Sequence, residues 1–217
     1  MGSKVGVIIS GAIMLTGMVI AYFMLDKEQP LKIYSPKDLN PKLVDENQRE
    51  IYKNHRIRNF KLVNQDGDTV SNSFLENKIY VADFFFTTCP TICPVMSNQL
   101  ERVQEAFSGD TTFKIVSHTV QPEYDSAAIL KEYATLHQAD PQQWTFLTGD
   151  KAEIYSLARK SYFAVTTEGT GGVNDFIHTE NFILVDQKKR IRGFYDGTSE
   201  TDVNRLIADI KKLKNEK

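Results

Sequence analysis

The chain has 217 residues, and its 26 basic and 28 acidic side chains leave a formal net charge of −2 at pH 7. This length suits one domain with residues left over for a targeting segment or a linker. The nearly balanced charge gives no reason to expect nucleic acid or an anionic membrane surface as a ligand.

The N-terminal 25 residues predict a membrane anchor. From Val5 to Leu25 there are 21 residues without a charge, and a helix of that length reaches about 31 Å, close to the thickness of a hydrocarbon core. A cleaved signal peptide is the alternative, but its apolar region usually has about 7–15 residues and ends in a small-x-small cleavage site. This run is longer and ends in "AYFML", so we predict one retained transmembrane helix in residues 1–25.

The flanking charges predict how the anchor is oriented. Lys4 and the amino terminus precede the apolar run, whereas Asp26, Lys27 and Glu28 follow it. The positive-inside tendency therefore places the N-terminus in the cytoplasm and the rest of the chain across the membrane. Because the sequence shows no long arginine-rich transit segment, we predict a single-pass protein of a bacterial inner membrane, with its C-terminal domain in the periplasm.

Residues 26–58 predict a polar tether between the anchor and a folded domain. The segment contains three prolines and the charged stretch "DENQREIYKNHRIR". Both features favour a linker, with a short helix near residues 44–53. The folded domain is then predicted for residues 59–217.

Strand and helix patterns alternate along this domain. The stretch "FKLVNQDGDTV" has apolar residues on both sides of Asp66 and Gly67, which indicates a β-hairpin. The apolar run "KIYVADFFF" has the length of a buried central strand and leads directly into the cysteines. Helix and strand patterns then follow in the order "SNQLERVQEAF", "FKIVSHTV", "SAAILKEYATL", "WTFLTG" and "KAEIYSLARKSY".

The C-terminal patterns complete the predicted fold. "NFILVD" and "RIRGFYDG" predict an antiparallel hairpin that turns at "QKK", and a last amphipathic helix follows it. Strands that alternate with helices require a largely parallel sheet covered on both faces. We therefore predict an α/β domain with a central mixed sheet and helices on both faces. Thioredoxin-like domains have this layout, but periodicity predicts the fold class and does not by itself give that name.

Cys89 and Cys93 are the two cysteines of the chain, and they follow the predicted central strand. Cys89 is expected just beyond the end of the strand and Cys93 close to the start of the next helix, where the prolines at 90 and 94 suit a first turn. Exposed amide donors at a helix start stabilise a thiolate, so at least one sulfur should ionise more readily than a free cysteine. The spacing allows metal chelation or a disulfide, although disulfide oxidoreductases usually place two residues, not three, between their cysteines.

Histidine is the usual additional ligand of a copper or zinc site that begins with two cysteines. The four candidates are His55, His118, His137 and His178. His55 in the tether and His137 near a helix end fit ordinary roles, whereas His118 lies near the end of a strand where Cys89 is also expected. His178 follows a loop with glycines at 169, 171 and 172, which would let it swing toward the cysteines; from the residues alone, ligand and structural roles stay equally open for it.

Several stretches together resemble a known family. "DFFFTTCPTICPVM", "VQPEYDS", "WTFLTG" and "FIHTENFILVD", in this order behind one N-terminal anchor, are similar to the Sco/SenC family of copper-binding proteins, which assist the assembly of cytochrome c oxidase. The resemblance covers roughly Phe60 to Leu213. It implies a thioredoxin-like domain that binds a copper ion through Cys89, Cys93 and His178. The implied partners are cytochrome c oxidase subunit II, an upstream copper donor and a thiol reductant.

Two positions depart from the family pattern. Gln121 stands before Pro122 where the family commonly has an aspartate, although Asp125 is retained, and Ile177 stands where an aspartate often precedes the ligand histidine. If these carboxylates tune the site, this chain does so differently. His118 is a weak candidate to compensate, and a supporting or surface role is the stronger expectation for it.

Two functional hypotheses remain. The favoured one is a membrane-tethered copper chaperone that serves the binuclear copper A centre of subunit II and is more metallochaperone than enzyme. The alternative is a thiol–disulfide oxidoreductase, or a related peroxide-reducing enzyme, in which Cys89 and Cys93 are redox thiols that reduce the copper-ligand cysteines of that subunit. A purely structural disulfide is least favoured because so short a loop adds little stability, and disulfide formation would switch copper binding off.

Overall fold

The computed structural model describes residues 6, 11, 13–18, 29–39, 55–165 and 177–216. Within these ranges, no helix is long and apolar enough to cross a membrane. Most of the predicted anchor lies outside them, as does the predicted short helix near residues 44–53. The chain divides into two compact units, Met1–Pro30 and Leu31–Lys217, and the second unit contains the sheet.

A seven-stranded mixed sheet forms the centre of the second unit. The strands are β1 (Lys61–Asn64), β2 (Thr69–Ser71), β3 (Ile79–Phe85), β4 (Phe113–Thr119), β5 (Trp144–Thr148), β6 (Asn181–Val185) and β7 (Ile191–Asp196). Their order across the sheet is β2-β1-β5-β4-β3-β6-β7. The neighbours β3, β4 and β5 are parallel, and the other pairs are antiparallel. Both predicted hairpins, β1–β2 and β6–β7, are therefore confirmed.

Helices flank the sheet, and most of the longer ones begin with a capping side chain. The longer helices are α1 (Ile92–Ala106), α2 (Ala127–Leu136), α3 (Lys151–Ser156), which continues as a π-helical turn over Leu157–Ser161, and α4 (Glu200–Asn215). Of these, α1 connects β3 to β4 and α2 connects β4 to β5; two four-residue helical turns, Pro36–Leu39 and Asn72–Leu75, lie earlier in the chain. The side chains of Ser126, Asp150 and Ser199 accept a backbone N–H at the starts of α2, α3 and α4. Thr91, at the start of α1, makes no such bond with its side chain.

The sheet separates two apolar clusters, which confirms the predicted central sheet with helices on both faces. Residues of α1, α2 and α4 pack on one face, and residues of α3 and the segment before β1 pack on the other. Because side chains alternate along a strand, Val81 and Phe85 of β3 join the first cluster while Ala82 and Phe84 join the second. We call the first the α1 face and the second the α3 face.

Part of the N-terminal segment packs on the sheet. The backbone N–H of Tyr34 donates to the Ile191 carbonyl at 2.9 Å, and Arg192 donates to the Leu31 carbonyl at 2.7 Å. These contacts involve residues within the range predicted as a tether. The predicted domain boundary at residue 59 stays a prediction, because residues 40–54 lie outside the described part of the chain.

Candidate functional site

Cys89 and Cys93 lie where β3 gives way to α1, as the sequence predicts. Cys89 follows the last strand residue by four positions, and Cys93 is the second residue of α1. Both are free thiols, with only 7% and 3% of their surface exposed. The Cys89 N–H donates to the Phe86 carbonyl at 3.2 Å, so the chain turns tightly between the strand and the helix.

The start of α1 favours the thiolate form of Cys89. Burial alone would raise the pKa of Cys89, but hydrogen bonds from the backbone and side chains of Cys93 and Thr91 outweigh it and lower that pKa below its usual value. The sulfur thus accepts amide hydrogens that a capping side chain would otherwise take. This confirms the expectation that one of the two sulfurs ionises readily.

Cys93 has the opposite character. Burial raises the pKa of Cys93 to about 12, and the N–H of Phe86 opposes this only in part, while nearby Cys89 and Asp83 raise the pKa further. At neutral pH, Cys89 is therefore the nucleophile of the pair, and Cys93 keeps its proton. A metal ion that binds both sulfurs must displace that proton.

His178 contacts Phe86, the residue whose carbonyl accepts the Cys89 N–H. It is exposed, one residue after the buried Ile177, and its ring centroid lies 6.1 Å from that of Phe86 at nearly a right angle. Among the described residues, no three histidine, cysteine, aspartate or glutamate side chains are close enough together to hold a metal ion. The structure brings Cys89 and Cys93 together but does not bring His178 to them, and the predicted glycine loop lies outside the described residues.

His118 lies on the wrong face of the sheet to assist the cysteines. Its ring stacks on Phe84 at 4.9 Å between centroids and lies 5.3 Å from Tyr162, on the α3 face. In the β3–β4 register, His118 pairs with Phe84, whereas the cysteines pack with the α1 cluster. The sheet therefore separates the His118 ring from the thiols, which argues against the hypothesis that His118 compensates for the two missing carboxylates.

The other two histidines make ordinary contacts. His55 Nε2 lies 2.7 Å from the Ser161 carbonyl oxygen. His137 Nδ1 lies 2.7 Å from Glu101 Oε1, across the gap between α2 and α1. His55 is half-buried and also contacts the ring of Phe163, so both histidines have structural contacts among the described residues.

One buried acid beneath the cysteines was missed at the sequence level. Asp83 is 2% exposed and accepts a 2.5 Å hydrogen bond from Ser117, which in turn accepts one from Trp144 Nε1 at 2.8 Å. Burial raises the pKa of Asp83 to about 7. An acidic residue in the middle of the apolar run "KIYVADFFF" was the available signal, because charged side chains are seldom fully buried without a partner.

The structure shows what surrounds Gln121 and Ile177, the two departures from the family pattern. Gln121 lies beside the cysteine loop, where its Oε1 accepts a hydrogen bond from the Thr88 hydroxyl at 3.0 Å. Ile177 is buried in the apolar cluster of the α3 face, so packing explains its apolar character. Neither residue places a charge next to the thiols.

Two adjacent thiols of unequal acidity can act in two ways. As soft donors they suit copper(I) or zinc, and one or two further ligands would complete such a site. As a redox pair they can attack a disulfide through the thiolate of Cys89 and then release the product through Cys93. Geometry alone supports both actions.

A family model and a known protein match most of this chain. A family model described as SCO1/SenC matches residues 48–215 of the chain. The SCO1 protein homolog of Bacillus subtilis (strain 168) is 33% identical over 160 residues, which cover 73% of this chain and 82% of that protein.

Solved structures with the same fold include one protein described with a disulfide switch and another with copper bound. BsSco, described as a member of the Sco family of cytochrome c oxidase assembly proteins with a disulfide switch, is 32% identical with a TM-score of 0.64, and the match covers 76% of this chain and 96% of that one. ScoI of Bradyrhizobium japonicum with copper bound is 27% identical with a TM-score of 0.58, covering 72% of this chain and 98% of that one. The thioredoxin-like α/β fold predicted from the sequence is thereby confirmed.

Proposed function

Because this chain belongs to the SCO1/SenC family, we propose that it binds copper and assists the assembly of cytochrome c oxidase. The observation that carries this proposal is the pair of adjacent free thiols, Cys89 and Cys93, at the start of α1. The copper-bound relative and the oxidase-assembly relative described above support the two halves of the proposal.

The proposed ligands are the thiolates of Cys89 and Cys93 and the imidazole of His178. Two sulfurs and one nitrogen make a soft site that suits copper(I) and tolerates copper(II). Cys89 binds first because its pKa is lowered, and Cys93 releases its proton as copper binds. Since His178 stands apart from the thiols among the described residues, the proposal includes its approach to them when copper binds.

The proposed setting is a bacterial inner membrane, with an anchor in residues 1–25 and the copper domain in the periplasm. The support is the uncharged run of 21 residues and the charges that flank it. There the chain receives copper from a donor, is kept reduced by a thiol reductant and serves the copper A centre of subunit II. Copper is the cargo in this sequence of events.

Replacing His178 by alanine tests the ligand set. In the reduced full chain in detergent, His178→Ala should weaken copper(I) affinity by about 10-fold or more, because one of three ligands is lost. The alkylation rate of Cys89 without metal should change little. His55→Ala is the matched control, because His55 contacts Ser161 and lies outside the proposed site. Equal copper affinities for the two variants would refute the three-ligand site.

Thiol–disulfide exchange is a second candidate function, favoured by the unequal acidity of the two cysteines. In that reaction the Cys89 thiolate attacks a target disulfide, Cys93 displaces the target thiol, and the chain ends with a disulfide while the target gains two thiols. The test follows the thiols of an oxidised subunit II fragment mixed with the reduced full chain. Complete reduction without copper, and no copper transfer to the reduced fragment, would establish the reductase instead of the carrier.

A further inference from the structure

A buried carboxylate holds the loop that carries Cys89. Asp125, in the segment between β4 and α2, has no exposed surface. It accepts hydrogen bonds from the Thr87 backbone N–H at 3.2 Å and the Thr87 hydroxyl at 2.5 Å, and also from the Thr119 hydroxyl. A buried carboxylate is costly unless donors surround it, so these bonds fix Thr87 against the end of β4.

A second bond from the same segment holds the next residue. The Thr88 hydroxyl donates to Gln121 Oε1 at 3.0 Å, and the Gln121 N–H donates to the Thr119 hydroxyl at 3.0 Å. Thr87 and Thr88 are thus tied to one polar network that includes the buried Asp125. Gln121 and Asp125 of the "VQPEYDS" stretch, which has no role in the proposed ligand set, therefore hold the cysteine loop.

Phe86, the residue directly before Thr87, contacts both cysteines. The Phe86 N–H hydrogen-bonds to the sulfur of Cys93, and the Phe86 carbonyl accepts the N–H of Cys89. Thr87 follows Phe86 directly, so a shift of Thr87 moves both contacts at once. The separation and orientation of the two sulfurs therefore depend on where Asp125 holds Thr87.

We propose that Asp125 is a positioning residue, whose carboxylate fixes Thr87 and so sets the geometry of Cys89 and Cys93 for copper binding and for disulfide formation. Disulfides tolerate only a narrow range of Cβ separations, and outer partners of a metal site commonly affect affinity about 10- to 100-fold. The copper part of this proposal rests on the proposed function. The disulfide part stands without it.

The test compares matched variants of the reduced full chain in detergent. Asp125→Asn keeps the side-chain shape but weakens the acceptor, and Thr87→Val removes only the loop hydroxyl, whereas Thr87→Ser retains it. Asp186→Asn is the control, because Asp186 is also a buried carboxylate that accepts backbone N–H groups. It directly follows β6 at Val185, which pairs with Tyr80 near the start of β3, so it lies at the opposite end of that strand from the cysteines.

Three quantities are measured: copper(I) affinity against a competing chelator, the dithiol–disulfide equilibrium with glutathione, and the urea midpoint of unfolding. Asp125→Asn and Thr87→Val should each weaken copper(I) affinity by about 10-fold and shift the dithiol–disulfide equilibrium by a similar factor. Thr87→Ser should keep both quantities near their wild-type values. The double variant Asp125→Asn/Thr87→Val should lose less copper affinity than the product of the two single effects. Asp186→Asn should lower the urea midpoint alone.

The outcomes separate the claims. If Asp125→Asn, like the control, lowers only the urea midpoint, the positioning role is refuted. If Asp125→Asn does not fold, Thr87→Val against Thr87→Ser decides, because Thr87→Val replaces the hydroxyl by a methyl group, whereas Thr87→Ser keeps the hydroxyl and removes the methyl group. A wild-type chain that binds no copper would refute the proposed function, while the glutathione equilibrium would still confirm or refute the positioning role.

Discussion

At the scale of single residues, two cysteines with only three residues between them have opposite properties. Cys89 accepts amide hydrogens at the start of α1, and its pKa is lowered. Cys93 lies deeper, and burial raises its pKa to about 12. The sequence places both at a helix start, but it does not show which sulfur faces the free amides and which is covered by the sheet.

This asymmetry predicts selective alkylation. In the reduced, metal-free chain at pH 8, iodoacetamide should modify Cys89 many times faster than Cys93, because only the thiolate reacts. Peptide mass spectrometry over a time course measures the two rates. Equal rates, or a faster Cys93, would contradict the assignment of Cys89 as the more readily ionised sulfur.

His118 predicts acid sensitivity of the fold. It is completely buried, neither ring nitrogen has a hydrogen-bond partner in the described part of the chain, and burial lowers its pKa to about 4, opposed only in part by the nearby Asp83 and Val116 backbones. The unfolded chain binds this proton near pH 6.5, so the contribution of neutral His118 to stability is complete above that pH. It is lost as the pH falls toward 4.

Replacing His118 by leucine should remove this sensitivity. The free energy of unfolding of the wild type, relative to His118→Leu, should fall by about 2–3 kcal/mol between pH 7 and pH 4.5. Urea unfolding of both proteins at the two pH values provides the measurement. A difference that does not vary with pH would show that His118 is protonated in the folded state as easily as in the unfolded one.

Asp83 predicts a pH effect of the opposite sign. Its folded pKa is about 7 because of burial, against an unfolded value near 3.9, so the folded state holds this proton more tightly. Stability from Asp83 is therefore present at low pH and is lost as the pH rises toward 7.

The matched variant is Asp83→Asn, which stays neutral at every pH. Relative to this variant, the wild type should lose about 2–3 kcal/mol of unfolding free energy between pH 5 and pH 8. Because the effects of His118 and Asp83 overlap in pH, each must be measured as a difference from its own variant. A constant difference across this range would mean that Asp83 is already ionised at pH 5.

At the scale of elements, periodicity predicted most of the architecture. Apolar alternation and turn residues located both hairpins and the central strand, since these patterns are local. The face on which His118 lies depends on the register between β3 and β4, in which His118 pairs with Phe84. Register is a long-range property, so neighbouring residues could not reveal it.

The N-terminal segment, β7 and the end of α4 meet at one buried arginine. Arg192 is 4% exposed, bonds to Asp186 at 3.1 Å and to Glu216, and donates to the Leu31 carbonyl. Leu31 N–H donates in turn to Glu216 at 2.6 Å. This network attaches residues 31–32 to the sheet.

Removing this arginine should destabilise the chain strongly. Arg192→Leu removes the buried cation that pairs with Glu216 and with Asp186, and leaves Asp186 paired with Arg190. This change should cost about 3–5 kcal/mol in urea unfolding. The control is Lys131→Ala, which removes an exposed ion pair with Asp66 and should cost no more than about 1 kcal/mol. Similar losses for the two variants would show that the Arg192 network contributes little.

At the scale of the whole second unit, the Arg192 network and the cysteine loop lie at opposite ends of β3. The Arg192 network lies beside Val185 and Tyr80, near the start of that strand, while the cysteine loop follows its end, about 20 Å away for seven residues. The end that carries Cys89 also carries Asp125 and Gln121. Residues 31 and 32 therefore contact Arg192 at the end of the sheet opposite the cysteine loop.

The sequence predicted this site only in part at the molecular scale. Cys89 and Cys93 lie within one short segment, so their proximity follows from local structure. His178 is far along the chain from both, and its distance from the sulfurs depends on how the residues before it are arranged. The ligand role of His178 thus rests on the family resemblance and remains a prediction.

Anaerobic titration of the reduced full chain with copper(I), in competition with a chelator, tests the central claim most directly. The account predicts one tightly bound copper ion per chain, with binding abolished in Cys89→Ser and in Cys93→Ser because each removes one of two adjacent sulfur donors. Copper bound with unchanged stoichiometry and affinity in either variant, or no copper bound by the wild type, would contradict it.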